Sequence, residues 1–247
     1  ELGSTLEVVD AGTLAQSSIP GIVTDKPRHG SRDFSQEAAL APTEVAFALE
    51  CGKRAVLRAG TPDLLIFGEM GIGNTTTSAA IAAALLGVSA KQTAGSGTGV
   101  DAKGLALKAR VIDEALALHG LTRPGVSAEE ILCTVGGFEI AAISGAIIAA
   151  AQRRIPVLVD GFIVSVAALA AARINPSCRP FLLASHQSAE QGHRLVLEAL
   201  NKQPLIDLDL RLGEGSGAAI ALPLLRLACA LHNDMATFAQ ANVPDRS

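Results

Sequence analysis

Short apolar runs and longer alanine-rich stretches alternate along this chain, with glycine or polar residues at each junction. Leu64-Leu65-Ile66-Phe67 runs into Gly68-Glu69-Met70-Gly71-Ile72-Gly73-Asn74, followed by a helical stretch from Thr75 to Leu86. Ile131 to Val135 runs into Gly136-Gly137 and a stretch ending near Arg154. Pro156 to Val159 runs into Asp160-Gly161 and a stretch ending near Arg173. Phe181 to Ala184 runs into Ser185-His186-Gln187-Ser188 and a stretch ending near Asn201. The apolar runs lack the every-second-residue alternation of a half-exposed strand, so they predict strands covered on both faces. Strands alternating with helices predict parallel pairing through right-handed crossovers. The expected fold class is α/β: a doubly wound, mostly parallel sheet with helices on both faces.

Other segments fill in the outline. Leu6 to Ala11 reads as a further strand turning at Gly12, and Pro20 to Phe34, rich in charge with Pro and Gly, reads as a surface excursion. Leu105 to His119 has the period of an amphipathic helix and carries Lys108 and Arg110. Leu205 to Leu210 precedes a glycine-rich loop, Arg211 to Gly217, and a helical stretch from Ala218 to Leu231. No linker is visible and no repeat beyond the strand-helix alternation, so residues 1–247 read as one domain. The apolar stretch from Ile131 to Ala151 is split by Gly136-Gly137 and Glu139. It therefore predicts a strand turning into a helix, not a membrane span.

This pattern has a geometric consequence. Each junction loop follows the C-terminal end of a predicted strand, and in an open parallel sheet those ends share one edge, where ligands bind. Glu69, Gly136, Asp160, Ser185 and His186 are expected to converge there. The helices start at the same edge and aim their positive N-termini at it, which favours an anionic ligand.

Composition narrows the class. Apolar residues make up 49% and charged residues 18%, enough for a large buried core and too apolar for wholesale disorder. The net charge is −4, with no Trp and no Tyr, so neither the basic stripe nor the stacking aromatics of a nucleic-acid binder is present. Cys51, Cys133, Cys178 and Cys229 form no Cys-x-x-Cys pair and read as reduced core thiols of a cytoplasmic protein. No metal-ligand set stands out, since His186 and His193 want a closer spacing and a third partner. Glu1, not Met, opens the sequence, which reads as a chain cut, processed or renumbered.

Gly71-Ile72-Gly73-Asn74-Thr75-Thr76 after a strand suggests a phosphate-binding turn, with exposed amides and hydroxyls forming a nest. A dinucleotide fingerprint wants Gly at 76, and a P-loop wants Gly-Lys-Ser/Thr, so dehydrogenase and ATPase readings are weak. A tight turn with a capping Thr is the plain alternative. Lys108 is a candidate point charge for that phosphate, against the plainer reading of a solvated helix face. Asp160 is a candidate ribose or cation contact, with an N-capping role equally open. Glu214, set between Gly213 and Gly215, is the most function-laden residue. A carboxylate partly desolvated there would take up a proton near neutral pH. Glu69 and Glu214 together keep a two-carboxylate glycosidase in view, although sugar-stacking aromatics are few.

Six blocks, in order, resemble one family: nicotinate-nucleotide–dimethylbenzimidazole phosphoribosyltransferase, of cobalamin lower-ligand assembly. They are Gly68 to Thr76, Gly97-Thr98-Gly99-Val100-Asp101, Val135 to Glu139, Val159-Asp160-Gly161-Phe162, Ser185 to His193, and Asp207 to Gly217. The resemblance covers most of the chain from about residue 60 onward. It implies an added small helical lobe, with residues 1–60 and 215–247 contributing to it and to dimer contacts, and a homodimer. It implies nicotinate mononucleotide and dimethylbenzimidazole as substrates, with no cofactor and no metal. Glu214 matches the catalytic base, and Glu69 and Lys108 match positions around the nucleotide. Gly71, Gly73, Asn74, Thr75, Gly97, Thr98, Gly136, Gly137, Asp160, His186 and Ser188 fall in the matching substrate-binding segments. Leu212 and Gly213 lie beside the base pocket. It also implies a further segment ahead of Glu1 that helps wall the acceptor pocket. Two alternatives stay open: a related member with another aromatic acceptor, and a non-catalytic nucleotide-binding module.

Overall fold

The computed structural model describes residues 2–95, 97, 99 and 101–241. At its centre lies a parallel sheet of four strands: β3 (Leu65–Phe67), β4 (Val157–Val159), β5 (Leu182–Ser188) and β6 (Pro204–Leu210), adjacent in chain order. Two further short strands, β1 (Val8–Asp10) and β2 (Ile22–Thr24), form a separate parallel pair. The expected α/β class with a parallel sheet and helices on both faces is what the chain adopts.

The helices are α1 (Pro42–Arg58), α2 (Asn74–Leu86), α3 (Ala90–Thr93), α4 (Ala102–Leu118), α5 (Ala128–Val135), α6 (Phe138–Gln152), α7 (Phe162–Ile174), α8 (His193–Leu200) and α9 (Ser216–Asp234). The two faces of the sheet can be read from β4. Val157 and Val159 join the main core with α2, α6, α7 and α8, whereas Leu158 faces the other way and packs with Ala218, Ala221 and Leu222 of α9. Alternate Cβ atoms on a strand point to opposite faces, so a fully buried run is what a two-sided strand needs. Helix α7 is apolar nearly all round and buried from Val164 to Ala172, as expected of a helix enclosed by others.

Alanine and glycine allow unusually close helix contact. A Cβ at Gly52 in α1 would come within 1.8 Å of the Ala142 carbonyl oxygen in α6, and one at Gly145 within 2.0 Å of the Leu49 carbonyl oxygen in α1. The two helices therefore touch backbone to backbone. The amino-terminal strands are tied to α1 by ion pairs, Asp25 to Arg54 at 2.7 Å and Glu7 to Arg58 at 2.8 Å. Asp10 and Lys26 form a buried pair at 2.6 Å, and Lys26 also donates to the carbonyls of Thr13 and Ala15. The excursion from Pro20 to Phe34 thus contains a strand and is fastened to the body of the protein.

Three expectations are corrected. Ile131 to Val135 is not a strand: it lies in α5, where Ser127 caps the helix by accepting the Glu130 N–H at 3.1 Å and Glu129 and Glu130 occupy the first turn. A cap and acids at a helix N-terminus outweigh the modest strand preference of Ile, Val and Thr. Gly136 therefore joins two helices and does not follow a strand. Ser185 to Ser188 is not a loop: β5 runs on through it, pairing with β6 as far as Ser188 opposite Leu210. The thiols are not uniformly core, because Cys229 is exposed on α9 and Cys133 only partly buried; all four are free. Among the described residues no helix is long and apolar enough to cross a membrane.

Candidate active site

Three strand ends meet at one edge of the sheet. Chain leaves β3 through Gly68-Glu69, β4 through Asp160-Gly161 and β6 through Arg211 to Gly215. The first and last of these loops touch. A Cβ at Gly68 would lie 2.6 Å from the Glu214 carbonyl carbon, and one at Gly213 would lie 4.0 Å from Glu69 Oε1. Glu69 and Glu214 therefore share one small region, although far apart in sequence.

The two acids differ in setting. Glu214 is exposed, and its carboxylate makes no hydrogen bond among the described residues. Glu69 is partly buried and accepts a hydrogen bond from the Asn74 side-chain amide. Burial raises its pKa to about 7, the Asn74 bond opposes this, and the charges of Glu139, Asp160 and Glu214 add to the rise. The desolvation expected at Glu214 thus falls on Glu69 instead. The physical reason is position: residue 69 sits below the loop surface between α2 and the 213–215 turn, and residue 214 sits at its crest. Glu139 at the start of α6 is also held above the usual carboxylate range, by burial first of all, while the Asn74 amide favours its charged form. A Cβ at Gly137 would lie 2.9 Å from either Glu139 oxygen, so that carboxyl folds back on the glycine.

Asn74 opens α2 and is buried, with Gly73 in the left-handed region at φ 85° before it. Next to it, Thr75 Oγ1 accepts from Lys108 Nζ at 3.0 Å, and the same ammonium donates to the Gly95 carbonyl at 3.0 Å. Burial lowers the Lys108 pKa, and the nearby Glu190 carboxylate raises it. Gly97, at φ 54°, lies against Thr75: a Cβ there would be 3.2 Å from Thr75 Oγ1. Helix N-terminus, hydroxyl, ammonium and glycine loop therefore meet at one spot, where Glu190 is the counter-charge to Lys108 and an anion would share that ammonium. Thr98 of the same loop lies outside the described residues.

Asp160, His186 and Ser188 sit deeper. Asp160 is 2% exposed, and its two oxygens accept the N–H groups of Gly215 at 3.2 Å and Ala218 at 2.9 Å. It thus caps α9 from a neighbouring strand. His186 Nδ1 pairs with Ser185 Oγ at 2.9 Å and the ring lies under Gly217. Burial lowers the His186 pKa, opposed by the Asp160 charge. His193 is fully buried between Ser165 and the Ser188 N–H, and burial brings its pKa down to about 3. Leu212 is 75% exposed on the loop after β6, and Met70 and Ile72, 73% and 98% exposed, lie on the loop after β3.

Sequence reasoning gave no role to Glu139 or Glu190. Glu190 Oε2 is buried without a hydrogen-bond partner among the described residues and lies against Gly95, beside the Lys108 charge. The signal for Glu139 was its place two residues after Gly137, and for Glu190 its place two residues before Gly192, each inside a block that resembles the family. Among the described residues no cluster of His, Cys, Asp and Glu could hold a metal ion.

A parallel α/β sheet whose strand-end edge gathers carboxylates opposite an anion cradle fits the class of phosphoribosyl-transferring enzymes. A family model described as phosphoribosyltransferase matches residues 1–243. The nicotinate-nucleotide–dimethylbenzimidazole phosphoribosyltransferase of Bradyrhizobium diazoefficiens is 78% identical over 248 residues, covering 100% of this chain and 70% of that protein. The enzyme of the same name from Pseudomonas putida (strain W619) is 53% identical over 249 residues, with the same coverage. The crystal structure of CobT from Thermus thermophilus superposes with a TM-score of 0.91 at 42% identity, covering 97% of this chain and 72% of that one. The chain belongs to the nicotinate-nucleotide–dimethylbenzimidazole phosphoribosyltransferase family.

Proposed function

We propose that this chain carries the site that moves the 5-phosphoribosyl group from nicotinate mononucleotide to 5,6-dimethylbenzimidazole, giving nicotinate and α-ribazole 5′-phosphate. The observation that supports it most is the meeting of Glu69 and Glu214 across the contact of the two loops, within the edge that also holds Lys108 and the start of α2. The phosphate is assigned to the cradle of Thr75, Lys108 and the Gly97 loop. The flat apolar acceptor is assigned to the exposed apolar side chains of the two loops that touch at Gly68 and Glu214, Met70 and Ile72 on one and Leu212 on the other.

The chemistry asks little of the protein. The pyridinium of the donor is already a cationic leaving group and departs neutral, so no general acid is needed. Benzimidazole attacks ribose C1′ with its bare nitrogen, and its other nitrogen then sheds a proton. Glu214, an exposed carboxylate at the rim, is assigned that proton. Glu69, poised to exchange a proton near neutrality, stands behind it, and both carboxylates stabilise positive charge at the ribosyl centre. Attack opposite the leaving group inverts β to α. In this reading the protein works in the cytoplasm as a homodimer, without cofactor.

Incubating the protein with nicotinate mononucleotide and dimethylbenzimidazole, and separating the products by chromatography, tests the proposal. Formation of α-ribazole 5′-phosphate with equimolar nicotinate is expected. Nucleotide binding with no product would favour a non-catalytic module, and turnover with another azole or a phenol but not dimethylbenzimidazole would favour a different acceptor.

A further inference from the structure

We propose that Asp160 is a positioning residue: from the end of β4 it fastens the left-handed turn that presents Glu214, and it does not contact substrate. This rests on the assignment of Glu214 as proton acceptor. Gly213, Glu214 and Gly215 have φ values of 76°, 56° and 78°, three successive residues in the left-handed region. Glycine enters that region freely, whereas a glutamate does so only where its surroundings insist. Within the turn, the Ser216 N–H and hydroxyl both donate to the Gly213 carbonyl, at 2.9 and 2.6 Å. Those bonds close the turn on itself but do not anchor it to the sheet.

The anchor comes from Asp160. Its Oδ2 takes the Gly215 N–H, inside the turn, and its Oδ1 takes the Ala218 N–H, one of the donors that a helix N-terminus leaves unsatisfied. Each oxygen is committed to a backbone N–H and the side chain is 2% exposed, so burial keeps the carboxylate out of a ligand's reach. His186 backs it: Nδ1 lies 4.0 Å from Asp160 Oδ1, and the ring fills the space under Gly217, where a Cβ would come within 2.1 Å of it. Gly68 closes the other side against the Glu214 carbonyl. Asparagine at 160 keeps the shape but must turn its NH₂ toward one of the two backbone N–H groups, so one anchor is lost while the core stays filled.

The test is a double-mutant cycle on kcat with wild type, Asp160→Asn, Glu214→Gln and the double variant, with the Kd for nicotinate mononucleotide measured by calorimetry for each. Asp160→Asn is expected to lower kcat by about tenfold or more with less than about a threefold change in Kd, and to cause no further loss in the Glu214→Gln background. An equal loss of kcat in both backgrounds would overturn the proposal, as would weaker nucleotide binding with kcat retained. Full turnover by Glu214→Gln would also overturn it, while product formation by the wild type would leave the transferase reading standing. Asp160→Ser, which keeps one acceptor in a smaller side chain, carries the same expectations if the Asn variant does not fold.

Discussion

The α-carbon of Gly68 lies directly against the backbone carbonyl of Glu214, so close that a methyl group on residue 68 would sit 2.6 Å from that carbonyl carbon. The loop after β3 therefore sets the height of the turn after β6. Gly68→Ala must displace the turn that carries Glu214 or the loop that carries Glu69, and so alter their spacing. The expected result is a fall in kcat of about tenfold or more, with the far-ultraviolet circular dichroism spectrum unchanged. Wild-type turnover in this variant would mean the contact has no bearing on the reaction.

Glu214→Gln removes the assigned proton acceptor while keeping size and hydrogen-bonding shape. Turnover should drop by about 10²–10⁴-fold, with nucleotide affinity largely kept. Glu69→Gln should also lower turnover, and the double variant should be the least active. Chromatographic rates for the three variants are the check, and undiminished rates in the double variant would remove carboxylate catalysis from this edge altogether.

Glu69 also leaves a mark on stability. Its pKa is raised from 4.5 to about 7 by burial, so between those values the native state binds more protons than the unfolded chain. The Glu69 contribution to stability therefore falls as pH rises from 4.5 to 7 and levels off above that. Glu69→Gln should be more stable than wild type at pH 8, by on the order of 1–2 kcal/mol after allowing for partial solvent screening. The gap should close as pH falls toward 4.5. Thermal midpoints across that range measure it, and a gap independent of pH would contradict the assignment.

Lys108 joins the start of α2 to the Gly95 carbonyl through two hydrogen bonds of 3.0 Å, and its third N–H can meet a phosphate. Lys108→Ala should weaken nicotinate mononucleotide binding by about 10–100-fold, the range of a lost charge-assisted hydrogen bond. Calorimetric titration with the nucleotide reads this directly. Unchanged affinity would move the phosphate elsewhere.

Gly52 and Gly145 let α1 and α6 touch. In an exposed helix Gly→Ala would stabilise by up to about 1 kcal/mol, but here each added methyl meets backbone that cannot swing aside. Gly52→Ala and Gly145→Ala should each destabilise by about 2 kcal/mol or more, seen as a lower urea midpoint. A neutral or stabilised variant would show that the helices separate easily.

Hydrophobic patterning carried the fold a long way, because a buried parallel strand and an enclosed helix both require uninterrupted apolar residues. It misread Ile131 to Val135, where residue types favour a strand and only the cap at Ser127 and the acids after it reveal a helix. It ended β5 too early at Ala184, because Ser185, His186 and Ser188 look like loop residues until their hydrogen bonds inside the protein are seen. It placed desolvation on Glu214 from flanking glycines alone, when crest and floor of a loop cannot be told apart without the neighbouring loop.

The amino-acid order by itself determined the α/β class, the parallel sheet and the strand-end loops that carry Glu69, Asp160 and Glu214, since these follow from periodicity and chain connectivity. Tertiary structure alone decided the division of labour within that edge. Which carboxylate loses water, which caps a helix from another strand and which faces solvent depends on what packs beside each one. Those neighbours are distant in sequence: Gly68 beside Glu214, Asp160 beneath Gly215, and Lys108 against Thr75. Electrostatic setting is a property of three-dimensional proximity, and local residue pattern carries little of it.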